Sequence, residues 1–158
     1  MKTCRADAHI DAPPPAVFDL LANPRRWPEA MNGVEKTEVV SPADPPPGPL
    51  DAGAVFDETR VIFGRSATER MTVRRCEPPR VIEFTAESHG TRYLTTTEVE
   101  PEGDGSRVTL TFGAEPVTFG AKLLSPLAGA MLKACRKAME KDLAQAKSFL
   151  EAAQTPGP

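Results

Sequence analysis

Between Glu115 and Leu127 the hydrophobic period of this chain changes, and that change limits the fold more than any other feature. From Ala54 to Glu115 the sequence reads as short strands broken by turn signals at Gly64, Glu77-Pro78-Pro79, His89-Gly90 and Glu102-Gly103-Asp104-Gly105. A spacing of about 12 residues between turns predicts an antiparallel meander. From Leu127 to Ala153 the period is 3.6. Ala128, Met131, Leu132, Cys135, Ala138, Met139, Leu143, Ala146, Phe149 and Leu150 fall on one face, and Lys133, Arg136, Lys137, Glu140, Lys141, Lys147 and Glu151 on the other. This is a long amphipathic helix, and Pro126 suits its start. An antiparallel sheet with one apolar face needs a cover, and this helix is the available one.

The segments upstream supply the remaining elements. Alternation of Ala6, Ala8 and Ile10 with Asp7, His9 and Asp11 predicts a half-buried strand. Asp11 near a cap and prolines at 13 to 15 predict a helix start, with Val17, Phe18, Leu20 and Leu21 as its apolar face. That helix must end near Asn23-Pro24, a second short turn holds Arg26 to Glu29, and Gly33 opens a strand through Val34 to Val40. Five prolines between residues 41 and 53 exclude a central strand or helix interior there and predict a surface loop. The class is α+β: one strand, two short helices, six further strands and a long C-terminal helix.

Length and composition set outer limits. The 158 residues, 40% hydrophobic and 26% charged, predict a single domain over 1–153 with a disordered tail at 154–158. Seventeen prolines argue against an all-helical bundle. The net charge of −3 comes from mixed signs with no basic stripe, so no nucleic-acid partner is expected. No apolar run is long enough to span a bilayer, and no stable membrane insertion is expected. Cys4, Cys76 and Cys135 are widely separated, which argues against a disulfide framework or zinc site; the N-terminal residues lack a signal-peptide core. A cytoplasmic protein, monomeric or homodimeric, with no metal and no cofactor is the expectation. Only two histidines are present. With no G-x-S-x-G, H-E-x-x-H or phosphate-binding glycine loop either, familiar catalytic arrangements are missing.

Several stretches together resemble the START/Bet v 1-like (SRPBCC) superfamily, in its polyketide cyclase/dehydrase and lipid-transport branch. They are Ile10-Asp11-Ala12-Pro13 leading to Val17-Phe18-Asp19-Leu20-Leu21, Asn23-Pro24, Trp27-Pro28, and Gly53-Ala54-Val55-Phe56. Further on come Val73, Glu77-Pro78-Pro79-Arg80, Gly105-Ser106-Arg107-Val108-Thr109-Leu110 and the closing Lys141-Asp142-Leu143. The resemblance covers nearly the whole chain through the order and spacing of these pieces. It implies a helix-grip, a curved seven-stranded antiparallel sheet wrapped around the long helix, with a deep cavity between them for an apolar or amphipathic small molecule. It does not fix an activity, since such proteins bind, transport or cyclise their ligands.

Turn geometry indicates which residues face that cavity. A two-residue loop at His89-Gly90 pairs Ser88 with Thr91, and so puts Ile82, Phe84 and Ala86 on one face with Tyr93, Thr95, Thr97 and Val99. Val108, Leu110 and Phe112 continue this inner face. A two-residue loop at Gly64-Arg65 would set Ile62 opposite Ala67, Arg60 opposite Glu69 and Glu58 opposite Met71. The more apolar face then carries Phe56, Ile62, Ala67, Met71 and Val73 together with Glu58, Arg60 and Glu69. Two readings stand for these charges. They form a paired cluster inside the pocket or, as the sequence alone favours, a solvated cross-strand pair.

The ligand-lining candidates are Trp27, Phe56, Arg60, Glu69, Met71, Phe84, Tyr93, Thr95, Thr97, Leu110, Phe112, Met131, Cys135 and Met139. Tyrosine and threonine hydroxyls in an apolar cavity can orient a carbonyl or phenol, and methionines let one pocket fit several ligands. Trp27 is assigned mainly to closing one end of the core. Cys135 is read as a small buried hydrophobe, His9 as pointing to solvent and His89 as a turn residue at the rim. A binding protein is the first functional expectation. The second is a cyclase, aromatase or dehydratase with Glu58 or Glu69 as base and Tyr93 or Arg60 as electrophilic support. The third is a non-catalytic interaction module, which would show an exposed apolar patch.

Overall fold

The computed structural model describes residues 1–154. Its elements run β1 (Lys2–Ile10), α1 (Pro14–Leu21), a 3-10 turn (Pro24–Arg26), α2 (Trp27–Ala30), β2 (Val34–Ser41), β3 (Val55–Ile62), β4 (Arg65–Glu77), β5 (Val81–Ser88), β6 (Thr91–Glu102), β7 (Gly105–Pro116), α3 (Phe119–Leu123), a second 3-10 turn (Ser125–Leu127) and α4 (Ala128–Gln154). The strands form one seven-stranded antiparallel sheet in the order β1-β7-β6-β5-β4-β3-β2, with α4 across its inner face, the helix-grip architecture. Gln154 closes α4 rather than opening a tail. The tail expected over the remaining residues, 155–158, lies outside the described residues.

The N-terminal segment plugs one end of the sheet. Prolines at the first positions of α1 lose no helical hydrogen bond there. Asp11 does not cap this helix: Pro13 holds the cap position without a side-chain bond, and the Asp11 carboxylate instead meets His9 at 2.9 Å. Val17, Phe18, Leu20 and Leu21 bury the apolar side of α1 against β6, β7 and α4. The proline-rich loop at 41–54 is tied down. Arg25 Nη2 donates to the carbonyls of Pro46 and Gly48 at 2.7 and 2.6 Å, and Leu50 is buried with its N–H on Ala22.

The β5–β6 hairpin has the expected register, Ser88 opposite Thr91 and Phe84 opposite Thr95. The β3–β4 hairpin differs. Its loop is Phe63-Gly64, with φ of 51° and 75°, and Ile62 pairs with Arg65. A two-residue loop with positive φ at both positions matches the right-handed twist of its strands. Arg60 therefore lies opposite Ala67, and Glu69 opposite Glu58. Moving the loop by one residue shifts the pairing by two. Since side chains alternate with a period of two, every residue keeps its face.

α4 is held unevenly. Its C-terminal half buries Leu143, Ala146 and Leu150, chiefly beside β1, and Lys147 Nζ donates to the His9 carbonyl at 2.9 Å. Its N-terminal half is not covered. Met131 and Ala138, read from the sequence as part of a buried stripe, are exposed, and Leu132, Cys135 and Met139 are half-buried. The short helix α3, which no sequence signal indicated, sits before this uncovered half, with Thr118 Oγ1 accepting the Ala121 N–H at its start.

Candidate functional site

The inner face has a sealed lower end, where β1 finishes and α4 ends, and an open upper end, where the hairpin tips and the start of α4 lie. Ile10, Val99 and Val108 are fully buried at the bottom. Beside them Trp27, Phe56 and Phe84 form a mutual edge-to-face triad with centroids 5.4 to 5.7 Å apart. Each such contact contributes about 0.5–1.5 kcal/mol beyond area burial. Trp27 Nε1 donates to the Leu20 carbonyl at 3.2 Å, which satisfies its polar atom inside the core. The three rings fill one another's space and make a floor.

Above this floor the same face loosens. Met71, Ala86 and Tyr93 follow one another across β4, β5 and β6, and Thr95 and Phe112 pair across β6 and β7; all are half-buried. Tyr93 and Phe112 stack with centroids 5.6 Å apart at an angle of 24°. Leu110 is half-buried, whereas Thr97 opposite it is buried. Met131, Cys135 and Met139 project from the loosely held half of α4. The result is a half-covered, mostly apolar surface with hydroxyls at Tyr93 and Thr95.

Cys4, which no sequence pattern singles out, shares this space. It lies opposite Phe112 on β7. Burial pushes its thiol up against the pull of Arg136. Burial also raises the Cys135 thiol, and Cys4 adds to that rise. Both cysteines therefore stay protonated near neutrality and act as small apolar groups, not nucleophiles.

The charges on β3 are not a solvated cross-strand pair. Glu58 is 6% exposed. Arg60 grips both of its oxygens, Nε to Oε1 at 3.3 Å and Nη2 to Oε2 at 3.2 Å, and Arg60 Nη1 donates to Asp142 Oδ2 at 2.8 Å. The cluster thus bridges sheet and helix, and its third member is Asp142 on α4, not Glu69 on β4. Gly33 leaves the space beside it, since a Cβ there would stand 3.4 Å from Arg60 Nη1. Burial works against the charged Arg60, but Glu58 and Asp142 outweigh it and hold the guanidinium above its ordinary range. Burial pushes the Asp142 carboxyl up, against Arg60. The two carboxylates thus favour the charged guanidinium, while burial disfavours the charged Asp142 carboxylate.

The sequence held a signal for Asp142. It falls on the same helical stripe as Cys135, Met139, Ala146 and Phe149, where a charged residue requires a partner. Glu69 points to the same inner face, half-buried and opposite Glu58. Among the described residues it makes no ion pair. Neither histidine forms part of this surface. His9 is clamped between Glu102 and Asp11, each at 2.9 Å, and His89 is an exposed turn residue with φ of 50°. No group of three or more His, Cys, Asp or Glu side chains fit to hold a metal occurs among the described residues.

Solved structures share this architecture. Ara h 8.0201 superposes with a TM-score of 0.73 at 13% identity, over 96% of this chain and 98% of that one. The protein TTHA0849 from Thermus thermophilus gives 0.70 at 23%, over 98% and 100%. The di-domain ARO/CYC protein BexL from the BE-7585A biosynthetic pathway gives 0.73 at 20%, over 99% of this chain and 48% of that one, so this chain spans about half of BexL. At these identities the likeness establishes the fold. No curated protein matches the sequence. The family model for polyketide cyclase / dehydrase and lipid transport matches residues 1–151, and the chain belongs to that family.

Proposed function

We propose that this protein, acting as one domain over residues 1–153, binds a hydrophobic or amphipathic small molecule, lipid- or polyketide-like, between the sheet and α4. The observation that carries this reading is the half-burial of Met71, Tyr93, Leu110 and Phe112 on the inner face of a sheet whose other end is tightly sealed. Apolar surface facing inward without a full set of neighbours gains by taking up an apolar guest. Tyr93 and Thr95 supply hydroxyls that orient the guest's polar end, and the Trp27, Phe56 and Phe84 floor sets its depth. A titration with anilinonaphthalene sulfonate tests this. Saturable binding is expected, weakened about 3- to 10-fold by Tyr93→Phe if the hydroxyl bonds the guest. Absence of saturable binding by any hydrophobic probe overturns the reading.

A second reading, a metal-free cyclase, aromatase or dehydratase, is favoured by the inward placement of Glu58, Arg60 and Glu69. Because Arg60 occupies both oxygens of Glu58, Glu69 is the better base candidate, with Tyr93 as hydrogen-bond support. Turnover of a polyketide-like substrate that is lost in Glu69→Gln would select this reading over simple binding.

A further inference from the structure

At the upper end, the apolar face beyond these half-buried residues is bare. Phe119 is 83% exposed, Leu123 72%, Leu124 64% and Leu127 67%, and Met131 follows them on α4. At the same end of the sheet the β3–β4 tip presents Phe63, 91% exposed, beside half-exposed Ile62. Isolated exposed apolar side chains are ordinary; a run of them across α3, a 3-10 turn and the start of α4 is not.

The charge around this patch narrows what can cover it. From Val117 to Met139 the chain carries Lys122, Lys133, Arg136 and Lys137 and no Asp or Glu, although the whole protein has a net charge of −3. Arg65 stands at the β3–β4 tip. The nearby carboxylates Glu87 and Glu115 both face Arg92, at 3.8 Å, and Glu140 meets Arg136 at 3.1 Å. A second copy of the chain, meeting this patch about a two-fold axis, would set cation against cation. Exposed Phe and Leu flanked mostly by Lys and Arg, with Glu35 beside the β3–β4 tip accepting from Ser66 at 2.7 Å, fit an anionic lipid surface, where the rings and aliphatic chains enter the headgroup boundary and the cations meet acidic headgroups. No helix among the described residues is long and apolar enough to cross a membrane, so the contact is one of lying on the bilayer.

We infer that α3, the start of α4 and the Phe63 tip form a docking surface for anionic phospholipid bilayers. This goes beyond the proposed ligand binding between sheet and α4 and does not depend on it, since a vesicle can be bound whether or not a guest is present.

Co-sedimentation of the full chain with vesicles of phosphatidylcholine and phosphatidylserine at roughly three to one, and with phosphatidylcholine alone, tests it. Binding to the anionic vesicles is expected at least about tenfold tighter, and weaker as salt is raised. Leu123→Glu/Leu124→Glu should lower it by about tenfold or more with little change in thermal midpoint, because both side chains are exposed. Lys133→Glu/Lys137→Glu should remove most of the preference for phosphatidylserine while leaving the fold intact. Lack of binding to the anionic vesicles overturns the inference. So does equal binding to both vesicles, binding unaffected by either pair of substitutions, or a concentration-dependent dimer that Leu123→Glu/Leu124→Glu dissolves.

Discussion

The two halves of α4 have similar shares of apolar residues and opposite fates. In the C-terminal half, Leu143, Ala146 and Leu150 are buried and Lys147 reaches the backbone of β1. In the N-terminal half, Met131 is exposed and Cys135 and Met139 are half-covered. The difference is not in the helix but in what faces it. The lower sheet carries Ile10, Val99 and Val108, with α1 and Trp27 filling the gaps; the upper sheet carries Tyr93, Phe112 and Ala86 with no element from the N-terminal segment behind them. An amphipathic stripe marks which face of a helix can be buried, and the opposing surface decides how much of it is.

The largest effects should come from breaking the sealed end. Phe56→Ala is expected to cost about 3–5 kcal/mol and Leu143→Ala about 2–5, because rigid neighbours cannot collapse into the space left. Met131→Ala, in the open half, should cost less than about 1 kcal/mol. Urea unfolding of the three variants measures this, and equal losses would erase the contrast between the halves.

Next in size is the charged bridge between the two regimes. Asp142→Ala leaves Arg60 with only Glu58 and should cost about 1–3 kcal/mol, less than a fully buried pair because the Arg60 side chain keeps 23% of its exposure. Asp142→Leu, which also extends the apolar stripe, should cost less than Asp142→Ala.

A smaller effect concerns pH. Burial raises the Asp142 carboxyl, so the folded protein holds this proton to higher pH than the unfolded chain does. The stability gained in this way is full below the ordinary aspartate range and is lost as pH rises through that range to the raised value. Two surface carboxylates have the opposite sign. The Arg107 hydrogen bond, with His9, lowers Glu102, and Lys147, with the Asp11 N–H, lowers Glu151. Their contributions are present above the ordinary glutamate range and are lost as pH falls through the depressed values. In stability–pH curves, wild type should lose ground to Asp142→Asn as pH rises through the aspartate range. A constant gap would show that Asp142 titrates normally.

The fold is legible in the sequence because its two periods and its turn residues each have one strong structural meaning. His89-Gly90 fixes a hairpin to the residue, and with it the inner face of β5 and β6. The loop at Phe63-Gly64 reads one residue late, because a phenylalanine at positive φ is a weak turn signal. Face assignment survives that error; pair assignment does not. The site is less legible. Alternation puts Glu58 and Arg60 on the inner face without showing that they are buried there, and their partner Asp142 lies 82 residues beyond Arg60. Only the helix's path across the sheet brings the two together. The bareness of α3 is beyond reach, because apolar residues in a short segment look alike whether covered or not.

The one-sided anchoring of α4 makes it a lever. Between Ala128 and Lys141 the helix runs about 20 Å, at roughly 1.5 Å per residue, past its last firm attachment at Asp142. A bend of about 5° at that pivot carries the tip about 2 Å, roughly half the separation of two carbon atoms in contact. On the proposed function, guests of different girth would be admitted by that bend alone, with the contacts below Asp142 left as they were.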